Sequence, residues 1–219
     1  HKFERDYFSG ENFPGHTLSL LDVRLTIETA SLAAGSRAVC IFVSDDASQA
    51  ILTELHNHGV EFLVLRSAGY NNVDLIAAAT LGIRVARVPE YSPYAVAEHA
   101  VALMLALNRH IIRAHNRVND LNFSLDGLVG FDMHGKTVGL IGSGKIGSVL
   151  AKILHGFGCK ILATDLTENP VLREKYAVTY VELRALCAQA DIISLHLPLT
   201  QATRHIICKK YLDLMKPGV

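Results

Sequence analysis

The amino-acid sequence predicts an α/β protein with two parallel-sheet domains, and three observations lead to this prediction. Two stretches of the chain alternate between short apolar runs of strand type and amphipathic runs of helical type. Such alternation is typical of parallel strands joined by helices that cover both faces of a sheet. A glycine-rich turn, Gly142–Gly147, follows the first strand of the second stretch. Half of the 219 residues are apolar, which is enough for a substantial core.

The first stretch contains four predicted strands with three predicted helices between them. The strands are Thr17–Leu21, Ala38–Val43, Glu61–Leu65 and Ile83–Val88, and the helices lie near Val23–Ala34, Ala47–Asn57 and Val73–Leu81. Gly59, Gly69 and Gly82 fall where turns between these elements are needed. This pattern predicts a small parallel sheet.

A long helix is predicted after Ser92. Serine is a common helix cap, and Pro93 suits the first helical position because its missing N–H would have no partner there. Apolar residues keep roughly helical spacing to about Arg117. The helix carries more apolar surface than a connector needs, so we expect a homodimer or a higher homo-oligomer.

The second stretch contains three predicted strands and two predicted helices. The strands are Lys136–Ile141, Cys159–Thr164 and Asp191–Leu197, and the helices lie near Lys145–Phe157 and Val181–Gln189. Three strands would leave an apolar sheet edge uncovered, and both chain ends are abrupt. We therefore expect both domains to be incomplete here and the chain to belong to a longer protein.

The Gly142–Gly147 turn has the pattern G-x-G-x-x-G, in which each glycine has a physical task. Gly142 permits the tight turn, Gly144 lets a pyrophosphate approach the backbone, and Gly147 allows the helix to pack closely. The helix that follows then opens with its N–H groups and its positive dipole end toward the phosphates. A glycine-rich turn without a ligand is the alternative interpretation, but the flanking strand and helix favour a dinucleotide site.

Asp165 ends the next predicted strand, about 20 residues after the turn. A carboxylate at this place accepts hydrogen bonds from the adenosine ribose and repels a 2′-phosphate. No arginine follows directly, since residues 166–168 are Leu-Thr-Glu. The sequence therefore predicts NAD rather than NADP as the cofactor.

Composition argues against several other classes of function. The formal net charge is zero, which gives no electrostatic reason to expect nucleic acid or membrane as a partner. Ala100–Leu107 is the longest apolar run and is too short to span a bilayer. The four cysteines are scattered, and no set of His, Cys or acidic residues has metal-ligand spacing. With no signal peptide at the start, we expect a cytoplasmic protein.

Five ordered segments of the chain resemble the D-isomer-specific 2-hydroxyacid dehydrogenases, and most closely their D-lactate dehydrogenase branch. The segments are Arg66–Asp74, Val88–Ala100, the glycine-rich turn with Asp165, His196–Thr200 and Leu214–Gly218. The resemblance implies residues 1–90 as part of a flavodoxin-like substrate domain and residues 91–118 as a connecting helix. It implies residues 119–219 as the first half of a Rossmann NAD-binding domain, with the substrate held between the two domains.

The same resemblance implies NAD-dependent hydride transfer between a small 2-keto acid, such as pyruvate, and its D-2-hydroxy acid. The family's catalytic arginine, glutamate and histidine are expected beyond Val219, so the 219 residues alone are predicted to be inactive. A non-catalytic NAD-sensing scaffold or co-repressor on the same fold is the alternative. The state of the arginine, glutamate and histidine set would distinguish the two.

The resemblance also implies which residues bind the two ligands. The backbone N–H groups of Ala68 and Gly69 would face the substrate carboxylate, and Tyr91 would orient the substrate with its hydroxyl. An ordinary turn at Gly69 and a buried structural tyrosine at position 91 are the alternatives. The implied cofactor residues are Gly142, Gly144, Lys145, Ile146, Gly147, Asp165, Leu197, Pro198 and Thr203.

Overall fold

The computed structural model describes residues 5, 7, 8 and 14–219. The chain forms two compact units, His1–Tyr91 and Ser92–Val219. Both are α/β units, and every strand pair within their sheets is parallel, as the alternating pattern predicts.

The first unit is built on a three-stranded sheet with the order β1-β2-β3. Its elements are β1 (Ala38–Ile41), α1 (Gln49–Asn57), β2 (Phe62–Leu65), α2 (Leu75–Thr80), β3 (Arg84–Arg87) and a 3-10 turn at Ala30–Ala33. Leu63 and Leu65 point from β2 into the core, where they are buried with Leu52 and Leu55 of α1. Each such side chain stabilises the unit by roughly 2 kcal/mol through its removal from water.

Two predicted elements at the start of this unit are wrong. Thr17–Leu21 is a loop that pairs with no strand of the described chain, and Val23–Ala34 contains only the short 3-10 turn and ordinary turns. Threonine hydroxyls explain the missing helix, because Thr29 Oγ1 donates to Arg24 O at 2.6 Å and accepts from Thr26 N at 2.9 Å. These bonds engage backbone groups that a regular helix would use.

The second unit is built on a four-stranded sheet with the order β6-β5-β4-β7. Its strands are β4 (Thr137–Ile141), β5 (Lys160–Thr164), β6 (Thr179–Tyr180) and β7 (Ile192–Leu195). Its helices are α3 (Pro93–Asn108), α4 (Ile111–Asn119), α5 (Lys145–Gly156), α6 (Pro170–Tyr176), α7 (Leu183–Gln189) and α8 (Lys209–Leu212). Ala97 and Val101 of α3 lie in one core with Leu150 and Leu154 of α5, so α3 is an integral part of this unit.

The predicted long helix after Ser92 is broken into α3 and α4, which bend by 58°. Its start is as predicted, because Ala95 N donates to the side chain of Ser92 at 3.1 Å. The break lies at His110, which has a left-handed φ of 49°. Just before it, the amide of Asn108 donates to Phe131 O and accepts from Phe131 N, both at 2.8 Å. These two hydrogen bonds fix the end of α3. The spacing of apolar residues in the sequence does not reveal them.

The sequence interpretation also missed α6, β6 and α8. The start of α6 carried a readable signal, since Asn169 caps it by accepting from Val171 N at 3.1 Å and Pro170 follows. Strand β6 has only two residues, which is too short to show a period of two. Among the described residues, no single helix is long and apolar enough to cross a membrane; α3 and α4 pass that test only as a bent pair.

Candidate functional site

The carboxyl ends of three parallel strands meet at one edge of the second unit's sheet. Ile141 at the end of β4 is in register with Thr164 of β5 and with Leu195 of β7. The chain leaves β4 for β5 on one side, whereas β7 lies on the other side of β4. Ligands of open parallel sheets bind at such a reversal of strand order. The glycine-rich turn and Asp165 are the segments that follow β4 and β5 at this edge.

Two of the three motif glycines are required by close backbone contacts. Gly142 has a φ of +98°, and a Cβ placed on it would lie 2.5 Å from His196 O. A Cβ on Gly147, in the first turn of α5, would lie 2.2 Å from Gly142 O. The turn therefore folds tightly against both its own helix and the end of β7.

Gly144 is different, because a Cβ on it would meet nothing within 4 Å. It is the N-cap of α5, it is exposed, and Lys145 and Ile146 are the first helical residues. The N-terminal, positive end of this 12-residue helix thus lies beside open space. A pyrophosphate fits this place, where a side chain at position 144 would be in its way.

The carboxylate of Asp165 is held by the glycine-rich turn itself. Its Oδ2 accepts from the backbone N of Ser143 at 2.6 Å and from the Ser143 hydroxyl at 2.8 Å, and its Oδ1 accepts from Leu166 N at 2.7 Å. Partial burial would raise the pKa of Asp165, but these hydrogen bonds outweigh it and hold that pKa below the ordinary value. Asp165 is therefore ionised at neutral pH and fixed in orientation, with an exposed rim that fits ribose hydroxyls.

The segment after β7 forms the other side of this edge. Leu197 packs on the core around Ile141, and its Cδ2 would lie 2.9 Å from a Cβ on Gly142. Pro198 is exposed, and its carbonyl accepts from Thr203 Oγ1 at 2.6 Å. The same Thr203 oxygen accepts from Thr200 N at 2.8 Å, so Thr203 holds this loop closed.

His196 is the histidine at this edge, between β7 and Leu197. Its Nε2 lies 2.8 Å from Ser194 Oγ, and burial lowers the pKa of the imidazole below its usual value. His196 is therefore neutral at pH 7. Its backbone carbonyl faces Gly142 closely, which gives it a structural task beside the turn.

Ser143 is a site residue that the sequence interpretation missed. It is only 3% exposed, and both its N–H and its hydroxyl bind the Asp165 carboxylate. The available signal was a hydroxyl residue at the first variable position of G-x-G-x-x-G. Nothing in linear spacing shows that this hydroxyl reaches a residue 22 positions away.

In the first unit, the predicted substrate residues Ala68 and Gly69 lie in the loop after β2. Ala68 O accepts from Arg87 Nη1 at 2.9 Å, and Gly69 O accepts from Ser67 Oγ at 2.7 Å. Within the described residues, no hydrogen bond engages the N–H groups of Ala68 or Gly69. Anchored carbonyls with unused N–H donors are suited to binding an anion. Tyr91 is 69% exposed, so its side chain is not buried among the described residues.

Other parts of the described chain offer weaker site candidates. No group of three or more His, Cys, Asp or Glu residues could hold a metal ion among the described residues. A cavity of about 580 Å³ lies at the opposite edge of the second sheet, where Thr137 and Lys160 begin β4 and β5. The glycine-rich turn does not line it, so the site rests on the turn and Asp165, not on this cavity.

Comparison with known proteins agrees with this geometry. The sequence model of the D-isomer specific 2-hydroxyacid dehydrogenase, NAD binding domain, matches residues 101–219. The D-lactate dehydrogenase of Escherichia coli (strain K12) is 49% identical over 220 residues, which cover 100% of this chain and 66% of that protein. The chain thus spans about two thirds of the length of that relative, and 62% of a related 2-hydroxyacid dehydrogenase homolog from Zymomonas mobilis.

Solved structures show the same relationship. The apo-structure of D-lactate dehydrogenase from Escherichia coli matches 100% of this chain and 67% of its own, with a TM-score of 0.86 and 48% identity. D-lactate dehydrogenase from Aquifex aeolicus, complexed with NAD and lactic acid, matches 100% of this chain and 63% of its own, with a TM-score of 0.79 and 32% identity. The chain therefore belongs to the D-isomer-specific 2-hydroxyacid dehydrogenase family, and its second unit has the Rossmann-like NAD-binding fold of that family.

Proposed function

We propose that the protein is an NAD-dependent dehydrogenase that interconverts pyruvate and D-lactate. The observation that carries the proposal is the ionised Asp165, held against the glycine-rich turn where the strand order reverses. Relatives at 49% and 50% identity are named D-lactate dehydrogenases, which supports the substrate class. NAD, when bound, accepts or supplies the hydride.

The proposal gives each set of residues one task. The N–H groups of Ala68 and Gly69 bind the substrate carboxylate, and Tyr91 orients the small keto acid through its hydroxyl. Gly144 leaves room for the pyrophosphate, and Asp165 accepts from the adenosine ribose. Residues 1–90 are then part of the substrate domain and residues 119–219 part of the NAD-binding domain. Residues 91–118 connect the two in sequence, although their helix α3 packs within the second unit. We place the protein in the cytoplasm.

We also propose that residues 1–219 bind NAD but do not turn over substrate. The resemblance assigns proton donation to a histidine beyond Val219. His196 is a poor substitute, because burial keeps it neutral and Ser194 lies at hydrogen-bond distance from its Nε2. We expect calorimetry to show that the 219-residue polypeptide binds NAD. We expect the same polypeptide to show no pyruvate-dependent oxidation of NADH.

The activity itself is tested with the full-length protein. We expect pyruvate-dependent loss of NADH absorbance, and in reverse a reaction with D-lactate but not with L-lactate. Larger 2-keto acids serve as the comparison that defines the substrate. Tight NAD binding without turnover of any 2-keto acid would contradict the enzyme and favour the NAD-sensing scaffold.

A homodimer built on α3 and α4 is the third part of the proposal. Leu107 at the end of α3 and Ile112 at the start of α4 are 76% and 68% exposed. Light scattering of the purified protein should give twice the mass of one chain, and the double substitution Leu107→Glu with Ile112→Glu should give a monomer. Ile76→Glu in the first unit changes an isoleucine that is 83% exposed and should leave the mass unchanged. A wild-type monomer would exclude the dimer.

A further inference from the structure

A chain of hydrogen bonds runs behind Asp165 from the start of α6 to the glycine-rich turn. The backbone N–H of Asn169 donates to the Tyr180 hydroxyl at 2.9 Å, and this hydroxyl donates to Ser143 Oγ at 3.0 Å. The Ser143 hydroxyl in turn donates to Asp165 Oδ2 at 2.8 Å. The start of α6 and strand β6 are thus linked through Ser143 to one carboxylate oxygen.

The groups at the two ends of this hydrogen-bond network fix the direction of every bond in it. A backbone N–H only donates and an ionised carboxylate only accepts, so both hydroxyls between them are oriented toward Asp165. Hydrogen bonds in such a sequence polarise and strengthen one another. Without the Tyr180 hydroxyl, Ser143 Oγ would lose the donor that polarises its own hydrogen bond to the carboxylate.

A second set of contacts, through Ser148, holds Ser143 and Asn169. Ser148 Oγ donates to the carbonyl of Ser143 at 2.9 Å, and the Asn169 side-chain amide lies 3.4 Å from Ser148 Oγ. Asn169 is itself held as the N-cap of α6. The backbone of Ser143 is therefore supported through Ser148, whereas its hydroxyl is oriented by Tyr180.

We propose that Tyr180 is a positioning residue of the NAD site, which acts through Ser143 to hold Asp165 ready for the adenosine ribose. The proposal rests on the assignment of Asp165 to NAD, and it adds a residue from strand β6 that the glycine-rich motif does not contain. Tyr180 lies at the end of β6, in register with Ala163 of β5, so it is anchored on the sheet. Binding of NAD without a substrate tests it independently of the proposed reaction.

The experiment is a double-substitution cycle with calorimetric titration of NAD into the full-length protein. Tyr180→Phe and Ser143→Ala should each weaken NAD binding by about fivefold, the usual effect of one hydrogen bond lost from such a network. Because Tyr180 acts through Ser143, the double variant should bind like Ser143→Ala alone. If the two losses of NAD affinity multiply in the double variant, the proposal is overturned.

Thermal unfolding separates this role from a purely structural one. If Tyr180 only anchored α6, Tyr180→Phe would lower the melting temperature and leave the dissociation constant of NAD unchanged, which would also overturn the proposal. Tyr176→Phe is the matched control, because Tyr176 packs edge-on against His155 and lines the cavity at the opposite sheet edge. NAD binding by that variant should equal that of the wild type.

Discussion

Asp165→Ala is expected to weaken NAD binding by about 100-fold, because it removes charge-assisted hydrogen bonds to the ribose. The same substitution should lower the preference for NAD over NADP, since the carboxylate that repels a 2′-phosphate is gone. Titration of both cofactors into the purified variant measures the two effects separately.

Two further variants isolate the cause. Asp165→Asn keeps the size of the side chain and removes its charge, so discrimination against NADP should fall there as well. Glu168→Ala removes a carboxylate from the same loop, but Glu168 is exposed and pairs with Arg173 at 2.5 Å. That variant should bind NAD normally. An unchanged preference for NAD in Asp165→Ala would mean that Asp165 does not contact the adenosine ribose.

Substitutions of Gly147 and Gly144 by alanine are expected to fail in different ways. Gly147→Ala should destabilise the second unit by about 3 kcal/mol, because the new Cβ would meet Gly142 O at 2.2 Å and backbone must move. Gly144→Ala should change stability by less than about 1 kcal/mol, since its Cβ meets nothing within 4 Å. Its NAD affinity should nevertheless fall roughly 30-fold, because the methyl group occupies the place of the pyrophosphate.

Chemical denaturation and NAD titration of each variant distinguish these two outcomes. Gly156→Ala, at the other end of α5, also places its Cβ in open space and should stabilise the helix by about 0.5 kcal/mol or more. NAD affinity of that control should stay at the wild-type value. Normal NAD binding by a folded Gly144→Ala protein would contradict the pyrophosphate assignment.

The elements that sequence reasoning predicted correctly are those with a strong local signal. In β4 a buried apolar run leads into Gly142, and in α5 apolar residues at helical spacing follow the turn. The strand and the helix therefore lie within one or two residues of their predicted bounds. Ser92 and Pro93 marked the start of α3 correctly, because a cap and a first-turn proline act on the nearest residues.

The failures have a common cause in contacts between distant residues. Leu18 and Leu20 alternate like a strand, but a strand needs a partner, and none pairs with residues 17–21 in the described chain. The end of α3 depends on Asn108 binding the backbone of Phe131, 23 residues away. Strand β6 exists through its pairing with β5 and has no periodicity of its own.

Four features could be predicted from the sequence: the fold class, the glycine-rich turn, the acidic residue after β5 and the family resemblance. These depend on backbone freedom, hydrophobic spacing and charge, which are properties of neighbouring residues in the chain. The partners that complete the site are seen only in the folded protein: Ser143 on Asp165, Tyr180 on Ser143, and the carbonyl of His196 against Gly142. A hydrogen bond or a close contact depends on distance in space, and residues as far apart as 143 and 180 become neighbours only when the sheet has formed.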